Sequence, residues 1–579
     1  MHWVINKAER KFQFRMMISS VVMATHLALS IPVHPGGHGL QSCIDSGAAS
    51  CELLPGVHRE SVVIPPFSPP IELIGLPDSI LSGAEPIPDS SWRKHAGSIY
   101  KAKLPASVVG SDIQQAWMGE QPCFEARWPN VNLTHGNHAN AIGGPMDIHS
   151  SWAHTYGIRG QNDSCLNCTR LRRGIIVDPN LAKTGIDWTG ATATLNVGYR
   201  FLTWTRTVLN HTAGSMTFTY NQTTQKSRKG LVGGSGAYLD KGLDNLYFLS
   251  GKLAALDMPG EFFVDQDAGV IYLWPVSSSP SAEPPTNVTV KVRNYCVQGQ
   301  ANLKRIRFHG CAFWLKGNGL RVEDTELVYP TYDRVVGMRS PDGSGMVPPV
   351  PTVQGNDSVV RNFSVRYSQG GGLKVVGSRN VIEEVLMEDS SWLGSLDFPV
   401  IEIGFGFTQP TISDPHRHAA ISGETTALHD SLRGGGDTTL GNDNIVRRAT
   451  LRRFSSMGIL TSQRSNEIAL VHVHDGGLVG LDSACIHADN TFVSCMNASL
   501  PLQQRTNCTK EWHHSWVHDC REKGVRGDDR NLNLTVHHMV VWSLGEGRDG
   551  HDRNDDPSWF PRGHGAATGV ILKGEGMAL

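Results

Sequence analysis

The feature that most limits what this chain can fold into is a repeat. From about residue 300, units of about 22 residues recur. They open at Ile306-Arg-Phe-His, Leu320-Arg-Val-Glu, Val359-Val-Arg-Asn, Asn380-Val-Ile-Glu, Asn444-Ile-Val-Arg, Asn466-Glu-Ile-Ala, Lys510-Glu-Trp-His and Leu534-Thr-Val-His. Each unit is a short alternating strand, then Gly or Asp, then a second short strand, with no helical periodicity. A unit this short can bury its apolar side chains only by stacking on the next one, which is the logic of a β-solenoid with coils ~4.8 Å apart. Asn380, Asn444 and Asn466 stand at the same point of their units, which predicts turns in left-handed geometry and a stacked amide ladder. Sandwich strands keep no fixed unit length, and propeller units run near twice this period.

The pattern begins near the N-terminus, where Cys51-Glu-Leu-Leu-Pro-Gly-Val-His-Arg-Glu-Ser-Val-Val-Ile reads as strand, turn, strand. Residues from about 105 to 290 break the period with longer strands, such as Ala193-Thr-Leu-Asn-Val-Gly-Tyr-Arg-Phe-Leu-Thr-Trp, and the Ser/Pro-rich stretch 277–285 reads as a return linker. The expected organisation is a signal peptide over 1–30, an N-terminal cap with the first coils over 31–105, an inserted β-rich module over 106–290 and the main solenoid over 291–579. Gly569-Val-Ile-Leu-Lys-Gly-Glu575 opens a fresh coil just before the chain stops, so a truncated C-terminus is expected, because solenoids cap their last coil.

Lys7, Arg10, Lys11 and Arg15 precede an uncharged run from Met16 to Leu29 that ends in Ala28-Leu29-Ser30, the layout of a secretory signal and too short to span a bilayer. Eleven Asn-x-Ser/Thr sequons, from Asn132 to Asn533, point to a secreted glycoprotein, as do the 11 Cys. Cys43 and Cys51 are placed to staple the cap, and Cys495 and Cys508 to close a loop; the Cys165-x-x-Cys168 pair has no second pair at zinc-ligand spacing. With 52 basic and 54 acidic side chains, no field is available to hold nucleic acid. The expected form is a monomer outside the cell, with no integral membrane span.

Four segments carry a family resemblance: Glu125-Ala-Arg-Trp-Pro-Asn130; Leu256-Asp-Met-Pro-Gly-Glu-Phe-Phe-Val-Asp265 with Ile271-Tyr-Leu-Trp-Pro275; Gly480-Leu-Asp-Ser-Ala; and Trp516-Val-His-Asp519 followed by Val536-His-His-Met-Val-Val-Trp542. Over most of residues 40–575 the chain resembles secreted right-handed parallel β-helix proteins of the pectin-lyase-like kind, above all β-helix glycoside hydrolases whose helix carries an inserted β-sandwich, among them a β-xylosidase group. The resemblance implies an all-β fold: a right-handed parallel β-helix with an inserted β-sandwich-like module. It also implies a nucleophilic Asp at Asp482 and a Glu acid/base at Glu511. Where that family carries Lys-Asp-x-Gly, this chain reads Leu481-Asp-Ser-Ala.

Glycoside cleavage needs two carboxyl groups, about 5.5 Å apart for retention of configuration and about 6.5–9.5 Å for inversion. Equivalent positions on adjacent coils supply such pairs. Aligning Val473-His-Asp475 with Val517-His-Asp519 sets Asp482 beside Asp528 or Asp529, so the candidate acids are Asp482, Glu511, Asp528 and Asp529. His474, His514, His518 and His538 lie on the same coils and, with Trp512 and Arg526, are the candidate substrate contacts. His513-His514 recurs as His537-His538 one coil on; His514 and His518 are about 13 Å apart along a strand, and no metal is expected. Of the other tryptophans, Trp392 is a candidate sugar platform, while Trp516 and Trp542 read as packing residues. The long segment 405–442 reads as a rim of the groove.

Three functions compete. The first is a hydrolase acting on a plant or algal polysaccharide or oligosaccharide, with no cofactor. The second is a lyase or epimerase using Lys374, Lys523 or Arg526 as base, with Ca2+ to acidify the sugar proton. The third is a glycan-binding or adhesive β-helix without catalysis.

Overall fold

The structure is a computed structural model that describes residues 30–575 apart from 67–68, 132–143, 149, 156, 161–171, 198–199, 201–202, 223–244, 277–282, 333–349, 397, 405–442, 462–464, 482, 489–508 and 546–567. Its solenoid winds between two parallel sheets of 15 and 10 strands. The chain alternates between them: Val381–Ser390 lies in the larger, Ile401–Ile403 in the smaller, Ile445–Phe454 in the larger, Ile459–Thr461 in the smaller. The pairings are parallel and in register, as in Val381↔Ile445 and Ile382↔Val446. This is the solenoid the repeat called for, in the form of the right-handed parallel β-helix that the family resemblance implies. One core runs its length, and Leu73, Phe308, Phe313, Val365, Met387, Leu451, Val473 and Val517 point into it from successive coils.

The coil bends at single residues in the left-handed region. Asp324, Asn362, Glu384, Arg448, Leu470, His514 and His538 form one corner; Tyr329, Tyr367, Asp389, Arg453, Asp475, Asp519 and Ser543, each five positions later, form the next. A residue with positive φ breaks the inside–outside alternation, so one strand can turn from one wall onto another without leaving the ladder.

The asparagines form the expected amide ladder. Asn380 Oδ1 accepts from Ser358 N at 2.9 Å, Asn444 Oδ1 from Asn380 N at 2.9 Å, and Asn466 Oδ1 from Asn444 N at 3.3 Å. The left-handed residue is the one before each, Arg379, Asp443 and Ser465, so the ladder and the strained turn fall on neighbouring positions rather than the same one.

Cys43–Cys51 closes the cap as expected, and Cys296–Cys311 and Cys485–Cys520 are also bonded; Cys123 is buried and free. The second Cys pair expected, Cys495 with Cys508, and the Cys165-x-x-Cys168 pair lie outside the described residues, as does the 405–442 segment. No helix among the described residues is long and apolar enough to cross a membrane. Two further sheets of eight strands each, mostly antiparallel, are built from strands between Ala84–Ile87 and Val288–Lys291, so they begin ahead of residue 106. They carry their own cores, around Trp188, Phe218 and Tyr247 in one and Trp92, Phe262 and Ile271 in the other.

The amide ladder gives a stability test. Asn444 Nδ2 also donates to Gly377 O at 2.9 Å inside the wall, so Asn444→Ala strands a buried carbonyl and the Asn380 N–H. The expected loss is about 1–3 kcal/mol in denaturant unfolding, whereas Arg379→Ala, whose partner Asp357 is exposed, should leave the midpoint nearly unchanged.

Candidate functional site

After the second corner the later coils cross from the larger sheet to the smaller through short turns, as between Phe454 and Ile459 and between Cys520 and Lys523. Stacked, these turns make a ridge bearing Tyr332, Gln369, Trp392, Leu393, Val479 and Glu522. The antiparallel module packs along it. Arg200 Nη2 donates to Val479 O at 3.0 Å, Leu481 N to Arg200 O at 3.0 Å, and the Thr203 hydroxyl to Leu393 O. Within the ridge, glycine lets two turns meet closely: a Cβ on Gly394 would stand 2.5 Å from Gly480 N. Trp117, Phe124, Trp152 and Leu246 of the module pack with Tyr329, Trp392 and Val479 of the ridge.

A cavity opens in this seam between Glu125, Arg127, Trp152, Phe248, Tyr332, Gln369 and Trp392. The Arg127 guanidinium stacks on Phe248 at 3.5 Å, Nε donates to Pro129 O at 2.9 Å, and Nη2 donates to Ser151 O. Burial pulls Arg127 below its ordinary value, with Tyr332, Glu261 and Glu125 opposing. Next to it, burial pushes the Glu261 carboxyl up to about 8, although Oε2 accepts from Asp257 N at 3.1 Å. Aromatic faces with a few convergent polar groups are the usual lining of a sugar site. Both Glu125 and Arg127 come from the Glu125–Asn130 motif, which carries part of the family resemblance but no expected site role.

On the same ridge, Glu522 is 3 % exposed. Its Oε2 accepts from Ser483 N at 3.0 Å and lies 3.3 Å from Lys523 Nζ. Glu522 was not among the candidates. Asp482 itself lies outside the described residues, but Ser483 follows it directly, so Glu522 is the described carboxylate at the level of that segment.

The other candidates separate onto different walls. The strands pair Gly476↔Cys520, Ala484↔Lys523 and Ala488↔Gly527, so Asp528 lies beyond Ala488 and not beside the Leu481–Ser483 segment. The expected register fails because the turn after Gly476 is longer than the one after Cys520. Asp528 sits on the outer face of the smaller sheet with Arg526 at 2.7 Å, Lys573 at 3.1 Å and His487 at 3.7 Å. The Asp529 side chain is outside the described set. Glu511 stands on the larger sheet, its side chain 57 % exposed, hydrogen-bonded to His537 Nε2 at 2.9 Å; that bond holds its carboxyl below the ordinary range. Glu511 and Asp528 therefore do not share a trench.

The tryptophans exchange roles. Trp512 is fully buried in the solenoid core and cannot stack on a sugar, whereas Trp516 is 57 % and Trp542 is 42 % exposed. The left-handed residue at His514 shifts the phase of the strand, so Trp512 points in and Trp516 out. His474 and His518 join this exposed strip, stacked at 4.8 Å, with His518 on Trp542 at 4.1 Å. Asp475 and Asp519 hold their Nδ1 atoms at 2.8 and 2.6 Å. His514 and His538 stack at the first corner, at 4.7 Å.

No family model and no curated protein matches the chain. Several solved structures match, two of them as follows. One, described as a glycoside hydrolase, is 12 % identical with a TM-score of 0.55 and is matched over 95 % of this chain and 96 % of its own. The other, the complex of XylC with xylose, is 13 % identical with a TM-score of 0.33, over 89 % of this chain and 62 % of its own. The first likeness establishes a common fold, module included.

Glu261 makes the seam sensitive to pH. Below about 4.5 its carboxyl is protonated folded and unfolded; between 4.5 and 8 only the unfolded chain gives up the proton. Stability therefore falls as pH rises through that window, by at most ~1.4 kcal/mol per pH unit. Glu261→Gln should remove this contribution, seen as a flatter unfolding midpoint between pH 5 and 8 than in the parent protein.

Proposed function

We propose that this chain is a secreted carbohydrate-active enzyme, a glycoside hydrolase that binds a polysaccharide or oligosaccharide along the seam between ridge and module. Asp482 and Glu522 are its carboxylate pair. The observation that carries this reading is the hydrogen bond from Ser483 N to Glu522, which ties a buried carboxylate on one coil to the residue after Asp482 on the coil before. Adjacent coils stand ~4.8 Å apart, the separation that suits a nucleophile with an acid/base and retention of configuration. Asp482 keeps its place in the pair, and the second carboxyl is that of Glu522 rather than Glu511, which stands on another wall. Arg127 and Gln369 offer the cavity's polar atoms to sugar hydroxyls, and the buried Trp152 and Trp392 shape its walls. The fold shared with a glycoside hydrolase and the disulfides agree with an extracellular enzyme of this class.

Lyase chemistry is less well supported. Each cation that could serve as its base faces a carboxylate: Lys374 with Glu402 at 2.9 Å, Lys523 with Glu522 at 3.3 Å, Arg526 with Asp528 at 2.7 Å. A paired cation is not a free base.

The test is to incubate the secreted protein, Asp482→Asn and Glu522→Gln with a panel of plant and algal glycans. New reducing ends without UV-absorbing unsaturation are expected, with either variant slowed about 100-fold or more while circular dichroism shows it still folded at the assay temperature. Full activity in both variants, or unsaturated products, would overturn the proposal.

A second reading rests on the exposed strip of Trp516 and Trp542 with His474 and His518, a surface that could hold glycan without cleaving it. If it does, Trp516→Ala with Trp542→Ala should weaken glycan retention in affinity electrophoresis by about tenfold or more, at ~1–3 kcal/mol per lost stack, while Glu522→Gln leaves retention intact.

A further inference from the structure

The first corner of the last two described coils of the larger sheet carries the same dipeptide, His513-His514 and His537-His538. Because the strands pair His513↔His537 in register, the imidazoles stack in two columns. His513 lies on His537 at 5.1 Å and 7°, and His514 on His538 at 4.7 Å and 2°. Within each coil the two Nδ1 atoms face each other, at 2.8 Å in His513–His514 and 2.7 Å in His537–His538.

Two lone pairs cannot face each other at that distance without something between them, either a proton or a cation. Two imidazole nitrogens bound to one Zn2+ at ~2.05 Å stand about 2.9 Å apart at right angles and about 3.3 Å apart at the tetrahedral angle. The observed spacing is close to that of two ligands on one ion. One ligand atom each from His514, His537 and His538 lies within 4.8 Å of the others, on an exposed corner where water can complete the coordination.

The surroundings favour a ligand set. A carboxylate only accepts, so the 2.9 Å contact of Glu511 with His537 fixes the proton on Nε2 and leaves the Nδ1 lone pair turned toward His538. A carboxylate behind an imidazole is the common second shell of a bound transition metal. His514 and His538 both occupy the left-handed region, at φ 48° and 50°, where Asn or Asp would cost less backbone strain. That conformation aims both rings off the corner in the same direction.

We propose that His514, His537 and His538 bind a borderline divalent transition metal ion, Zn2+, Cu2+ or Ni2+, with Glu511 as positioning residue. The ion bridges strands Lys510–Cys520 and Leu534–Trp542 and staples two coils of the larger sheet. The site is on a different wall from the seam, and the proposal does not depend on the hydrolase reading. Along the strand, His514 and His518 stay too far apart to share an ion; the ligands meet across coils instead.

The test uses the full chain without a polyhistidine tag, titrated with ZnCl2, CuCl2 and NiCl2 by calorimetry and thermal unfolding. One ion per chain with a raised unfolding temperature, reversed by a chelator, is expected. His514→Asn with His538→Asn keeps residues suited to the left-handed corner and should abolish the tight site. Glu511→Ala should weaken it by about 10- to 100-fold. His474→Ala with His518→Ala, in the other histidine group, should leave it unchanged. Absence of stoichiometric binding of any of the three ions, or binding that survives the Asn substitutions, would overturn the proposal.

Discussion

Everything on the surface of this protein depends on coils stacking in register. Each coil turns at residues in the left-handed conformation, and each such residue other than Gly or Asn costs about 1–2 kcal/mol. The cost is tolerated because the turns repeat: with corners five residues apart in successive coils, every strand segment between them has the same length and phase as its neighbour. The Asn380–Asn444–Asn466 ladder and the core row from Leu73 to Val517 are both consequences of that repetition, and both stabilise it.

Register also turns each outward position into a row with its own chemistry. One row reads Arg366, Glu388, Arg452, His474, His518, Trp542 along the axis. In its first half, charges alternate: Glu388 faces Arg366 at 3.3 Å and also pairs with Arg452, and Glu383 one strip away faces Arg447 at 2.8 Å and Arg448 at 2.6 Å. Alternation is the arrangement that lets like charges sit ~4.8 Å apart without repulsion. In its second half the row switches to rings, which stack at the same spacing with no need of alternating sign. The histidine groups are thus a continuation of a structural device, and what sets the corner group apart is that a third ligand atom, from His514, lies within reach of the facing pair His537–His538.

What the sequence disclosed follows from the same physics. Period, strand alternation and the recurring Asn are local signals, so the solenoid, the amide ladder, the Cys43–Cys51 staple and the recurrence of His513-His514 at His537-His538 could all be read from the letters. What they could not show was set by turn length and corner phase. Aligning Val473-His-Asp with Val517-His-Asp fixed the strands correctly, but the unequal turns after Gly476 and Cys520 moved Asp528 away and brought up Glu522 instead. A single positive φ at His514 decides that Trp512 is core and Trp516 surface, and nothing in the composition of that strand announces it. The seam was unreadable for a different reason. Glu125 and Arg127 meet Gln369 and Trp392 only because two separately built units dock.

That docking explains why the seam, rather than an open sheet face, concentrates buried polar groups. An interface selected only for stability would favour apolar contacts, because a guanidinium or carboxyl taken out of water must be repaid in full by its partners. This seam instead buries Arg127 and Arg200, and Glu261 Oε1 finds no partner among the described residues. Arg200 is spent on backbone carbonyls that hold the ridge in place, whereas Arg127 lines the cavity beside two carboxylates of unequal environment. Glu261 is pushed up by burial, while Glu522, further along the ridge, is given a backbone N–H and an ammonium. Carboxyl groups in such different surroundings, Glu261 on the module and Glu522 on the ridge, come at the expense of stability, and under the hydrolase reading proposed above such a difference is what two carboxyl groups of unequal protonation require.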